Sequence, residues 1–329
     1  MANGSNPAAR ALDVTSAFFA ASARRGGLLL AVGIFGGVVF PPLARALHFF
    51  VAPNVVMLMT LVLLRVDISA SMIHLRRPGR LAAIIAFQLI GCPIIAWLAI
   101  RPLGLDQGVA DGIVIFATGC AATSSPAFAR LVGLDPDLTL LATLATTLLV
   151  PFTAPPMAFS LMGLDLAIGM ANFFGRLMII VGLPLAFSFL LRRIIGPARL
   201  APYGGAVDGL VVWLVVFYGF GVMQGLGERI AADPAWVVQA TLAAFGVDFG
   251  LNIVTTLAFI GLGRRAAASA GLMSGNRNMA LYLAVLPAAA DPRIGLFFAL
   301  CQFPLFLSPF LLRPVYRLIL PRAPPRLSA

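Results

Sequence analysis

The chain has 329 residues, of which 60% are hydrophobic and only 11% charged. Its mean hydropathy of +0.99 and this composition exclude an ordinary soluble domain, in which about half the residues are apolar and a quarter charged, and point to an integral membrane protein. The net charge of +11 is no nucleic-acid signature, because the arginines that carry it sit between apolar runs instead of crowding one face.

Residues 1–25 hold a short apolar run, Ala17 to Ala23, followed by Arg24 and Arg25. A secretory signal would place its basic region first, so this stretch reads as a cytoplasmic amphipathic lead-in. A spanning helix needs about 20 mostly apolar residues. Ten such segments can be drawn, at roughly 26–47, 52–73, 79–101, 108–132, 137–161, 166–192, 206–227, 235–262, 266–289 and 293–320. The connections are short, so 26–320 reads as a single transmembrane domain and 321–329 as a cytoplasmic tail.

Orientation follows from the arginines, since the chain has no lysine. With the N-terminus inside, the cytoplasmic side holds Arg10, Arg24, Arg25, Arg76, Arg77, Arg80, Arg130, Arg192, Arg193, Arg199, Arg264, Arg265, Arg313, Arg317, Arg322 and Arg326. The other side holds only Arg45, Arg101, Arg229 and Arg293. Both termini are therefore expected in the cytoplasm.

Cys92, Cys120 and Cys301 are scattered through apolar runs and fit neither a disulfide framework nor a metal site. His48 and His74, the two histidines, lie near segment ends, which argues against a histidine metal centre.

Three arginines, Arg65, Arg176 and Arg277, remain within or near apolar segments, with Asp67, Asp208 and Asp248 as the acids available to meet them. Arg65 and Asp67 sit near a segment end and read as structural or interfacial. Asp248 lies mid-segment with Asn252 one turn later on the same face. A carboxylate there is costly unless it is protonated or paired, so Asp248 is expected to pair with Arg277 or to act in proton coupling.

Two segments look broken. The fourth contains Gly119-Cys120-Ala121-Ala122-Thr123-Ser124-Ser125-Pro126, and the ninth contains Ser274-Gly275-Asn276-Arg277-Asn278-Met279. Each is fourth in its half when the chain is divided five and five, and an odd number of spans per half inverts one half relative to the other. Interrupted segments at matching places of inverted repeats point to a transporter's binding site.

The order of these motifs resembles the bile acid:sodium symporter family, over residues from about 28 to about 317. The stretches that carry the likeness are LLLAVGIFGGVVFPPLARAL, AAIIAFQLIGCPIIAWLA, GCAATSSPAFARLVGLDPDLTLLATLATTLLVPFTAPP and GLMSGNRNMALYLAVLP. The resemblance implies an all-α membrane fold of ten helices in two inverted repeats. A panel is built from segments 1, 2, 6 and 7 (about 26–73 and 166–227), and a core from segments 3–5 and 8–10 (about 79–161 and 235–320). Broken segments 4 and 9 cross in the core, with organic anions beside the crossing and two sodium ions behind it.

Carried over by position, one sodium site resembles Ser125, Thr139 and Thr143. The other resembles Gln88 with backbone carbonyls around Met273, Ser274 and Asn276. This chain departs from the family pattern at three places: Pro126 stands for an asparagine, Met273 for the acid that serves both ions, and Arg277 for a glutamine. Hard cations want oxygen ligands, preferably anionic, so Arg277 is expected to take over the second ion's electrostatic role, with sodium coupling weakened or lost.

For the substrate, a broken helix presents free N–H groups and its positive dipole end, which selects Thr123 and Ser124. Asn276, Asn278 and Arg277 can also meet a carboxylate. Gln302 stands where the family has polar residues facing substrate, and simple interhelix bonding is its alternative. Thr146 and Thr147 read as packing residues.

The expected activity is secondary transport of a small organic anion, with no organic cofactor, no nucleic acid and no protein partner called for. A bacterial inner membrane is the expected setting. A sodium symporter using Ser125, Thr139 and Thr143 is the first alternative, and an anion channel or ligand sensor is one of another class. An intramembrane enzyme is disfavoured, because the acids are scattered and Asp135 and Asp137 lie at a loop around Pro136.

Overall fold

A computed structural model describes residues 16–19, 21–22, 26–65, 78–162, 169–286 and 290–320. Most of the expected lead-in, Asp67, the side chain of Arg65 and the tail from 321 lie outside the described residues. The described residues are helical apart from their connections and one isolated antiparallel bridge.

In chain order the helices are α1 (Gly26–Val39), α2 (Pro41–His48), α3 (Val51–Arg65), α4 (Pro78–Leu103), α5 (Gln107–Thr118), α6 (Ser125–Val132) and α7 (Pro136–Met162). There follow α8 (Gly169–Ile195), α9 (Gly204–Ala232), α10 (Pro234–Ala258), α11 (Arg264–Gly275), α12 (Met279–Val285), α13 (Pro292–Leu300) and α14 (Gln302–Ile319).

Among the described residues, six helical stretches are long and apolar enough to cross a membrane, and seven if the bent pair α1–α2 counts as one span. The chain is thus a membrane protein whose described residues are helical. Ten spans are not reached by length alone, for local reasons. The first expected segment turns through 111° between α1 and α2, where Phe40 precedes Pro41-Pro42 and the proline ring disfavours a helical residue before it. The fourth and ninth are each cut in two, at 119–124 and at 276–278.

The chain divides into two compact units. The first comprises residues 1–66, 178–234 and 283–285. In it α1 lies directly on α9, because Gly33 and Gly37 leave no side chain between the backbones; a Cβ at Gly33 would come within 2.8 Å of the Val216 carbonyl oxygen. Asn54 on α3 donates to the Leu214 carbonyl across 2.9 Å, and Arg192 donates twice to the Leu64 carbonyl, at 2.7 and 3.1 Å. Such side-chain bonds supply specificity between helices that are equally at home in lipid. Ser22 accepts from the Trp213 indole, and Phe18 stacks on the same ring.

The second unit comprises residues 67–177, 235–282 and 286–329. At one end of it Asp106 caps α5, Asp291 caps α13, and Arg293 bridges the two carboxylates at 2.6 and 2.8 Å. Trp236 on α10 donates to Asp106 as well. Acceptors at helix N-termini satisfy amides that otherwise have no partner, and here the same carboxylates tie three helices together.

Candidate functional site

The second unit is built around its two broken segments. At 119–124 the chain leaves α5 in extended conformation and re-enters a helix at Ser125, followed by Pro126, whose missing N–H suits a first turn. At 276–278 it leaves α11 extended and resumes at Met279. The two extended pieces pair as an antiparallel bridge between Ala121 and Arg277. Ala122 donates its backbone N–H to the Asn276 carbonyl at 2.8 Å, and Asn278 donates to the Cys120 carbonyl at 2.9 Å. Backbone freed by the breaks is therefore satisfied by the other break, as buried polar groups at membrane depth must be.

Side chains brace this crossing. Thr146 on α7 accepts the Ala121 N–H at 3.2 Å while its hydroxyl lies within bonding distance of the Ala142 and Thr143 carbonyls. Thr118, the last residue of α5, shares a 2.8 Å hydrogen bond with the Tyr282 hydroxyl of α12. Ser308 on α14 donates to Asn276 Oδ1 at 3.0 Å.

Arg277 is completely buried, and each of its three nitrogens donates to a backbone carbonyl that the fold has left without a helical partner. Nε reaches the Ser274 carbonyl at 2.8 Å; the amide that would normally bond there belongs to Asn278 and goes to Cys120 instead. Nη1 reaches the Gly119 carbonyl, just past the end of α5, at 2.6 Å. Nη2 reaches the Gln88 carbonyl at 3.1 Å. Gln88 lies in a π-helical turn, Phe87–Gly91, where the Cys92 amide bonds back to Phe87, skipping Gln88. The next residue, Pro93, has no N–H to offer. One guanidinium thus closes three interruptions, and it does so at the C-terminal ends of α5 and α11, where the helix dipole favours positive charge.

The expected Asp248–Arg277 pair does not form. Arg277 spends its donors on these carbonyls, and Asp248, 1% exposed, keeps Oδ1 without a hydrogen-bond partner. The Arg277 side chain is enclosed, with each of its nitrogens engaged by a backbone carbonyl.

A scan of protein families matches residues 52–222, a little over half of the chain, to the Sodium Bile acid symporter family. The chain belongs to that family. No curated protein matches it. A sodium bile acid symporter is a transporter, which gives the chain a small-molecule substrate and a membrane setting. The matched region includes the α5–α6 break but ends before α10, so the second half of the crossing rests on geometry alone.

The residues that the family likeness singled out fall as follows. Ser125 and Thr143 are buried, and neither hydroxyl has a partner, whereas Thr139 is committed to its own helix start through the Asp135 and Pro136 carbonyls. Gln88 donates weakly to the Ala270 carbonyl at 3.5 Å and leaves Oε1 unpartnered; Ser274 Oγ and Asn276 Nδ2 are likewise buried without partners. Met273 sits in an apolar cluster with Leu81, Ile84, Ala121, Leu138, Leu141, Ala142 and Ala270. Thr123 and Ser124, just ahead of α6, are partly exposed. Asn278 is buried, and Gln302 bonds within its own segment to the Phe298 carbonyl at 3.2 Å.

Sequence reasoning missed Thr146, which it read as packing, and missed the Gln88 carbonyl in favour of the Gln88 side chain. Pro93, a residue without an N–H inside an apolar helix, was the available sign that a carbonyl one turn earlier is freed, and the π-helical turn makes that carbonyl Gln88's.

Proposed function

We propose that this protein is a secondary transporter that carries a small carboxylate-type organic anion by alternating access, with a guanidinium built in where relatives would hold their second sodium ion. In this reading the chain makes ten spans as two inverted five-helix repeats. Panel helices lie at about 26–73 and 166–227 and core helices at about 79–161 and 235–320, with both termini in the cytoplasm of a bacterial cell and the domain in its inner membrane.

The observation that carries the proposal is the grip of three orphan carbonyls on Arg277. Carbonyls at the ends of broken helices are the ligands a transporter offers a coupling ion, and here a tethered cation holds them permanently. Met273 supplies no carboxylate and stands among apolar side chains, so the donor set does not suit a hard cation. For the substrate, the start of α6 offers Thr123 and Ser124 with the positive end of a helix dipole behind them. Asn276, Asn278 and Gln302 complete the proposed polar lining.

A second reading, sodium symport through one remaining site, is favoured by the two buried hydroxyls of Ser125 and Thr143 that lack partners. The readings separate in a thermal-shift screen of cholate, small carboxylates and sulfonates, run in sodium and in choline. Stabilisation by an anion that is indifferent to sodium supports the tethered cation, and stabilisation that requires sodium overturns it. Arg277→Gln combined with Met273→Glu is expected to convert an indifferent protein into a sodium-dependent one. Uptake into proteoliposomes that saturates with substrate supports a carrier; ohmic current without saturation supports a channel.

A further inference from the structure

Asp248, Asn252 and Thr256 follow one another at four-residue spacing on α10 and therefore stack on one side of it. They are 1%, 5% and 8% exposed. Facing them on α11 are Gly271 and Gly275. A Cβ at Gly275 would lie 2.5 Å from the Asp248 carbonyl oxygen and 3.0 Å from Oδ1, and one at Gly271 would lie 2.5 Å from the Asn252 carbonyl oxygen and collide with Thr256 Oγ1. From α14, Tyr316 accepts a 2.8 Å bond from Asn252 Nδ2. The stripe is thus enclosed by α11 and α14, yet Asp248 Oδ1 and Thr256 Oγ1 have no hydrogen-bond partner.

The titratable groups that act electrostatically with Asp248 are Cys301, at the junction of α13 and α14, and Tyr316. Among the described residues no basic side chain bonds to it, and on α11 it is Gly275 that packs against it. Ionisable side chains buried in a membrane domain without a counter-charge mark proton and ion pathways.

We propose that Asp248 is the proton-binding group that couples transport, and that Thr256, Asn252 and Tyr316 form its route to the aqueous phase at the C-terminal end of α10. This rests on the transporter reading above and names its coupling ion. A proton from water adds to Oδ1 in one conformation and leaves to water on the opposite side in the other; no other bond changes. Proton binding switches the carboxyl between neutral and charged, and the cost of enclosing it against Gly275 switches with it. Because Gly275 is the last residue of α11, that change is delivered directly to the crossing.

The test needs no known substrate. Infrared difference spectra of the purified protein across acid-to-neutral pH are expected to show one carboxylic-acid carbonyl band that is absent from Asp248→Asn, and Tyr316→Phe is expected to slow that band's exchange into heavy water. A band that persists in Asp248→Asn, or that does not change with pH in the wild type, overturns the proposal. Should Asp248→Asn fail to fold, Asp248→Glu keeps an acid there and must shift the band; an unshifted band overturns it equally. In proteoliposomes with cholate as probe, a pH gradient is expected to drive accumulation by the wild type but not by Asp248→Asn, while counterflow persists in both. Counterflow missing from the wild type tells against the transport reading, and the infrared spectra still decide the proton site.

Discussion

Arg277 and Asp248 are both buried ionisable groups in the same unit, one inside the break between α11 and α12 and the other packed against Gly275 just before it, and the fold treats them in opposite ways. Every nitrogen of Arg277 is matched to a carbonyl, whereas Asp248 has an oxygen matched to nothing. A charge held at each of its nitrogens is a structural fixture, because moving it would strand three acceptors at once. An unsaturated one is poised to change its state. The contrast separates what holds the crossing from what can switch it, and it can be attacked from either side.

The largest effect is expected from Arg277→Met, which removes the donors and keeps an apolar chain of similar reach. Replacing a whole buried ionic cluster by apolar groups can be neutral or stabilising, but here the acceptors are backbone and stay. Three carbonyls left unsatisfied at roughly 1 kcal/mol or more each predict a loss of at least about 3 kcal/mol. Melting in detergent should show a large fall, with aggregation on size exclusion. Arg277→Lys, a point donor that cannot reach three carbonyls in a plane, should fall between. A wild-type melting curve for Arg277→Met would mean that the carbonyls find other partners, and the view of Arg277 as a fixture would fail.

How much of this was legible beforehand differs between the two charges. The break sites themselves were readable, since Gly119 with Pro126 and Gly275 with its polar neighbours interrupt otherwise apolar runs. Asp248 was readable as an expensive acid in mid-segment. The pairing of Asp248 with Arg277 was the natural guess, because sequence displays side chains and hides carbonyls. What satisfies Arg277 is backbone exposed by a π-helical turn, a helix end and a diverted amide, and none of these is a residue type. Helix length alone undercounts the spans: 108–132 and 266–289, whose interruptions the sequence announces, are each two short helices in the folded chain, and neither piece is long enough to cross by itself. The likeness to a known family supplied the expectation of a crossing, and composition alone would not have.

The other side of the contrast is tested by Gly275→Ala. Alanine is the better helix former by up to about 1 kcal/mol, so an unconstrained glycine at the end of α11 would gain from the change. At Gly275 the added Cβ lies 2.5 Å from the Asp248 carbonyl oxygen, which is backbone and cannot rotate away. Overpacking of this kind costs about 1–3 kcal/mol, so the net expectation is a lowered melting temperature. Gly246 and Gly250, which flank Asp248 on α10, have open space where a Cβ would go, so alanine there should be neutral or mildly stabilising. Equal behaviour at all three positions would show that α11 does not press on Asp248.

The smallest effect should come from Thr146→Val, which keeps the shape of the side chain and removes only the hydroxyl. Threonines on membrane helices usually bond back to their own turn, and Thr153 does so, to the Leu149 carbonyl at 3.2 Å. Removing such a bond frees a carbonyl that already has a helical donor, so Thr153→Val should melt like the wild type. Thr146 makes the same internal bonds but also accepts the Ala121 N–H, a donor in the extended strand with no helical alternative. Losing that acceptor should cost about 1–3 kcal/mol, and hydrogen exchange at Ala121 should quicken while exchange elsewhere in α7 stays unchanged. If both threonines respond alike, the crossing is held by Arg277 and its own backbone pairing, and Thr146 returns to being a packing residue.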